Sequence, residues 1–178
     1  MSKRTWHPVI NQDVALVPLT QGQWATIDIE DLDIVQQTSW SATRSKRTWY
    51  AKGSKPGFSY MHRVVMGLPI GDPRLVDHVD GDGLNNRRSN LRVATSRQNA
   101  GNQRKRPSTS RFKGVKRHHN RWVATIKAGY RSRHLGSFVS EEDAGRAYDA
   151  AAVAEWGEFA VLNFPLVPLS PTDTPEEA

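Results

Sequence analysis

Apolar residues fall in short, broken runs along the chain, and the breaks outline its elements. VALVPL (14–19) reads as a strand interrupted by Pro18, and WATIDIEDLDIV (24–35) as a strand running toward a short helix. RTWYAKG (47–53) reads as another strand before the turn-rich SKPGF. SYMHRVVMGLP (59–69) suits one short helix stopped by Gly67 and Pro69. Strand signals return from Arg74 to Val79 and again in LRVAT (91–95). They flank DGDGLNNRRSN (80–90), a loop whose glycines permit tight turns. SRQNAGNQR then starts a helix with Thr95 or Ser96 as its cap.

QRKRPSTS (103–110) is basic, polar and broken by Pro107, as a linker would be. Beyond it, FKGVKR, RWVATIKAG and RSRHLGSF read as three strands joined by the turns HHN and AGY. Ser140 caps a following helix, with Glu141, Glu142 and Asp143 at its positive end. Ala144, Ala147, Tyr148, Ala151 and Ala152 recur at helical spacing and give one smooth face, and Gly157 can end the helix. Strand parity places Trp122, Ala124 and Ile126 on one side and Arg121, Thr125 and Lys127 on the other. The apolar set can rest on the alanine face while the basic set turns outward. Arg131 and Arg133 share the parity of Leu135 and are expected at the sheet edge. The pattern is α+β in two domains, 1–102 and 111–165, with a Pro-rich acidic tail at 166–178 expected to be disordered.

Composition narrows the chemistry. The 178 residues carry a formal charge of +7, which favours a polyanionic partner such as nucleic acid. The absence of cysteine removes disulfides, thiolate zinc sites and a cysteine nucleophile. No apolar run approaches the roughly 20 residues of a membrane span, and MSKRTWHP lacks a signal core. A soluble chain acting in the cytoplasm, with no membrane or protein partner and as a monomer, is the expectation.

Candidate chemistry concentrates in VDHVDGDGLNNRRSNLRVATSRQN (76–99). A strand, loop, strand and helix in this order can bring distant side chains to one point. Asp77 and Asn99 offer a carboxylate and an amide oxygen, hard donors suited to Mg²⁺ or Mn²⁺. His78 can take a proton from water near neutral pH. Strand neighbours point apart, so a bend is needed for Asp77 and His78 to share a site. Arg87, Arg88, Arg92 and Arg97 are placed to hold a phosphodiester. A calcium loop is excluded, because counting from Asp80 the sixth position is Asn85 and the twelfth Leu91. A polar loop with a structural histidine is the other reading. His62, His118 and His119 read as surface or phosphate contacts rather than ligands.

Residues 76–99 resemble the HNH motif of the ββα-metal nucleases, in the phage and intron-encoded branch with its DH…NN…SNLR…N pattern. The resemblance implies that His78 is the general base, that Asp77 and Asn99 bind one divalent ion, and that Asn90 ties the loop through backbone hydrogen bonds. It implies metal-assisted hydrolysis leaving a 5′-phosphate and a 3′-hydroxyl. SRFKGVKR, RWVATI, LGSF, EEDAGRAYDAAA and LNFP resemble the Apetala-two/ethylene-response-factor DNA-binding domain of plants, a three-stranded antiparallel sheet packed on one helix. By family position Lys113, Lys116, His118, Thr125 and Lys127 fall where that domain touches DNA. Arg117, Arg121, Arg131, Arg133 and His134 complete the expected contact set. Nuclease followed by grip resembles phage-borne homing endonucleases acting on double-stranded DNA in an infected bacterial host.

Overall fold

The computed structural model describes residues 7–45, 48–102, 109–129 and 131–164. Contacts divide the chain into two compact units, Met1–Gln103 and Arg104–Ala178.

In the first unit β1 (Val9–Asn11), β2 (Val14–Pro18) and β3 (Trp24–Asp28) form an antiparallel sheet in that order. Alternation in β2 and β3 buries Ala15, Val17, Ala25 and Ile27 on one face. A 3-10 turn (Ile29–Asp31) leads into the short α1 (Leu32–Val35). β4 (Trp40–Ser45) pairs with β5 (Thr48–Gly53) as a hairpin. α2 (Met61–Val65) contributes Met61 and Val65 to the core, where Val35, Trp40, Ala51 and Leu91 meet the sheet. The Trp40 indole donates to the Val35 carbonyl at 2.7 Å, so the ring is buried without leaving its N–H unpaired.

The last part of this unit is β6 (Leu75–His78), a loop, β7 (Leu91–Ala94) and α3 (Ser96–Gly101). β6 and β7 are antiparallel, with Asp77 opposite Arg92 and His78 opposite Leu91. Thr95 caps α3 in a reciprocal capping box with Gln98. The loop is tied to the hairpin and to the first sheet. The Gly83 N–H donates to Thr48 Oγ1 at 2.9 Å, and the Asn86 N–H donates to the Thr26 carbonyl at 2.7 Å. Gly83 has no room for a side chain, because a Cβ would strike the Tyr50 ring. β1 and β4 were not expected from the pattern: β1 is exposed throughout, and β4 buries only Trp40 and Ala42.

The second unit is a sheet of β8 (Val115–His118), β9 (Arg121–Ala128) and β10 (Arg131–Phe138), with β9 central, packed on α4 (Glu141–Trp156). Val115, Ala124 and Ala144 centre its core, with Phe112, Trp122, Leu135, Phe138 and Ala147 around them. The Ser140 hydroxyl caps α4 by accepting from the Asp143 N–H. Gly114 sits at φ +76° against the Tyr148 ring, where any Cβ would collide. A β-bulge between His134 and Gly136 shifts the register: Arg133 pairs with the buried Ile126 and Leu135 packs on the core, so these two share a side as expected, but Gly136 opposite Ala124 falls on that side as well. Asp149 accepts from the backbone N–H groups of Asn163 and Phe164, and the Asn163 side chain bonds both the N–H and the carbonyl of Lys113.

Two expected boundaries change or fall outside the description. Ser110 is buried and donates to Glu141 Oε1 at 2.7 Å, and Thr109 Oγ1 accepts from the Arg117 N–H. Both belong to the second unit rather than to a linker. Residues 103–108 of the expected linker and the expected tail lie outside the described residues. Among the described residues no helix is long and apolar enough to cross a membrane.

Candidate active site

His78 ends β6 and is buried at 5% exposure. Three side chains fence its ring. His62, from α2, lies edge-on with ring centroids 5.0 Å apart, Tyr50 of β5 stands 5.8 Å away, and the Asn86 amide lies beside it. Nε2 of His78 has no hydrogen-bond partner among the described residues. Burial lowers its pKa, and this outweighs Asn86 and the carboxylates of Asp80, Asp77 and Asp82, which pull it up. The imidazole is therefore neutral at pH 7, the form in which it can accept a proton.

The loop after β6 is held by Asn90, which is buried. Its Oδ1 accepts from the Asp80 N–H at 3.0 Å; its Nδ2 donates to Asp80 Oδ1 at 3.0 Å and to the Asn85 carbonyl at 2.8 Å. Burial raises the Asp80 pKa, but hydrogen bonds from the Asp82 N–H, Asn85 and Asn90 outweigh it and leave the carboxyl more acidic than usual.

Asp77 is buried with its Oδ2 held by Arg92, through Nε at 3.0 Å and Nη2 at 2.9 Å. Its Oδ1 accepts from Asn102 Nδ2 at 2.9 Å, and the same amide donates to the His78 carbonyl at 2.7 Å. Asn102 thus ties the end of α3 to both β6 residues. Asn99 stands three residues earlier, on the same helix face and so next to this junction. Asp77 and His78 are joined to the end of α3 through Asn102, and Asn99 lies on that helix.

Three of the four arginines expected to hold phosphate are engaged by carboxylates of the protein itself. Arg87 Nε bonds Asp28 Oδ1 at 2.9 Å. Arg88 binds the buried Asp31 through Nε at 3.0 Å and Nη2 at 2.6 Å. Arg92 binds Asp77. Asp28, Glu30 and Asp31 form an acidic cluster, and these arginine pairs explain it without an ion. Arg97 lies in the first turn of α3.

His62 is a correction. It is 8% exposed rather than a surface contact, stacked at 5.5 Å on Tyr60 and edge-on to Tyr50 at 5.6 Å. Nothing in HRVVM distinguishes such a residue from a surface histidine. Asn102, which the sequence NAGN places one turn beyond Asn99, has no signal of its own in the pattern.

In the second unit the sheet face away from α4 carries Lys116, His118, Arg121, Lys127 and His134, all exposed, together with Thr125. Arg131 and Arg133 are exposed on the edge strand β10. Lys113 and Arg117 depart from expectation. Lys113 Nζ lies over the rings of Trp156 (5.6 Å) and Tyr148 (5.8 Å), and burial lowers its pKa to about 8. Arg117 pairs opposite Trp122 and stacks on it at 5.1 Å, on the helix side of the sheet. The outward basic face is smaller than strand composition alone suggests.

Comparison with known proteins agrees with both units. A family model described as HNH endonuclease matches residues 59–101. The chain is 30% identical over 148 residues to an uncharacterized HNH endonuclease of Acanthamoeba polyphaga mimivirus, covering 80% of this chain and 76% of that protein. The chain belongs to the HNH endonuclease family. Its C-terminal part resembles AP2-like ethylene-responsive transcription factors. One from Arabidopsis thaliana is 47% identical over 57 residues, 30% of this chain and 11% of that protein. One from Oryza sativa subsp. japonica is 44% identical over 59 residues, 31% and 9% respectively. The chain thus spans about a tenth of these plant proteins.

Proposed function

We propose that this chain is a site-specific DNA endonuclease of homing type that hydrolyses phosphodiester bonds. The first unit cuts and the second holds double-stranded DNA. The observation that carries the reading is the buried, neutral His78 with a partnerless Nε2 at the end of β6. Such a nitrogen can take a proton from an attacking water. Asn90 holds the loop beside it, and Asn102 ties α3 to the His78 carbonyl, so the ring's backbone is fixed from two sides.

A hard divalent ion, Mg²⁺ or Mn²⁺, fits the donor chemistry. Asp77 and Asn99 would hold it, and Asp77 Oδ1, bonded to Asn102, keeps a further lone pair to offer. When bound, such an ion stabilises charge on the phosphate and on the departing 3′ oxygen. One motif per chain supplies one centre, which suits nicking of a single strand. On the second unit, Lys116, Arg121, Lys127, Arg131 and Arg133 would supply charge against the DNA backbone, and Thr125, His118 and His134 on the same sheet would contact bases.

One observation favours a second reading, a DNA-binding regulator with an inert motif. The Arg92 guanidinium already neutralises Asp77. Relaxation of a supercoiled plasmid in Mg²⁺ or Mn²⁺ separates the two. Cutting by the wild type that stops with chelator and with His78→Ala supports the nuclease. Binding without cutting under all conditions supports the regulator.

A further inference from the structure

His62 is the polar group of this centre that hydrolysis by His78 leaves without a task. It is buried, its ring is clamped by Tyr60 and Tyr50, and its edge meets His78. Its Nδ1 has no hydrogen-bond partner among the described residues, and the same is true of His78 Nε2. A buried nitrogen without a partner carries a desolvation penalty that a phenylalanine in the same aromatic nest would avoid. The two nitrogens sit on adjoining rings with centroids 5.0 Å apart and both are enclosed, so a small shift of the rings would let one molecule hydrogen-bond both. Burial first, then the neighbouring His78 and Arg63 charges, lower the His62 pKa to about 3. The ring is therefore neutral at pH 7 and offers an acceptor as well as a donor.

We propose that His62 contacts the substrate water: its Nδ1 accepts one hydrogen of the water that His78 deprotonates and so aims the oxygen at phosphorus. The inference rests on the nuclease reading of His78. In the step, the water oxygen bonds to phosphorus and the bond from phosphorus to the 3′ oxygen breaks. One water proton passes to His78, and the other stays on the oxygen, held by His62. The departing 3′ oxygen takes a proton from solvent, and His78 later returns its own. No further co-reactant enters.

The test compares His62→Phe, His62→Asn and His62→Gln with the wild type and His78→Ala in the full chain. Single-turnover relaxation of a supercoiled plasmid in Mg²⁺ gives the rate, and a gel-shift assay gives the DNA affinity. The phenylalanine keeps the aromatic packing without an acceptor. The asparagine amide reaches the Nδ1 position, and the glutamine amide reaches the Nε2 position instead. His62→Phe should cut about 100-fold more slowly with unchanged affinity, in the range seen when one positioned polar group is removed. His62→Asn should recover about tenfold of that loss, and His62→Gln should not. Cutting by His62→Phe within about threefold of wild type would overturn the inference, as would a loss confined to affinity. Should the phenylalanine variant not fold, equal rates for asparagine and glutamine would overturn it. Cutting abolished in His78→Ala but indifferent to His62 leaves the nuclease reading standing without this contact. A wild type that never cuts removes both.

Discussion

Asn90→Ala tests how the centre is held together. The change removes three side-chain hydrogen bonds: from the Asp80 N–H at 3.0 Å, to Asp80 Oδ1 at 3.0 Å and to the Asn85 carbonyl at 2.8 Å. A net value of about 1 kcal/mol per bond gives about 3 kcal/mol. Because Asn90 is buried, incoming water recovers little of this. If the cost falls on local opening, the open fraction of the loop rises by about two orders of magnitude. Hydrogen exchange at Val79 and Asp80 reads that opening directly, and urea unfolding followed by tryptophan fluorescence reads the global part. Asn90→Asp sharpens the test. It can still accept from the Asp80 N–H, but it loses both donations and sets a second carboxylate against Asp80. It should be no more stable than the alanine variant. Asn90→Asp at wild-type stability, or exchange in Asn90→Ala within about threefold of wild type, would refute this account of the loop.

Three further predictions follow from the same geometry. In a double-mutant cycle of Asp31→Asn with Arg88→Met, the bidentate pair should show a coupling of about 1–2 kcal/mol, moderated because the Arg88 side chain is 50% exposed; under about 0.5 kcal/mol would make the pair incidental. The folded pKa of His62, about 3, lies below the unfolded histidine value, so the unfolded chain binds the proton first and the stability present above pH 6.5 is lost as pH falls toward 3. From this residue alone the loss at pH 5 is about 2 kcal/mol, so the difference in unfolding free energy between pH 7 and pH 5 should shrink by about that amount in His62→Phe. For DNA binding, five outward or edge cations give a slope of log affinity against log salt of about −4.5, which Lys127→Ala should lower by about 0.9 and Lys113→Ala should leave unchanged.

The spacing of residues 76–99 carried most of the local order: two strands, a turn-rich loop and a capped helix depend on neighbours in the chain, and alternation in RWVATIK separated buried from exposed residues. What escaped is set at long range. Arg88 meets Asp31 across 57 residues, so nothing near RRSN marks those guanidiniums as engaged. Lys113 turns onto Tyr148 and Trp156 because Asn163 holds its backbone from 50 residues away. The bulge near Leu135 is one extra residue that breaks a period-two reading. His62 is buried by aromatic rings from β5 and from the approach to α2, a neighbourhood that sequence distance conceals.

The clasp of Asn163 and Asp149 on Lys113 has an architectural consequence. It stitches the incoming and outgoing segments of the second unit side by side, with Phe112 and Phe164 touching at 4.8 Å. A module whose entrance and exit share one doorstep can be spliced onto unrelated hosts without prising either fold apart. A cassette built this way can travel behind a cutting enzyme as readily as inside a plant regulator.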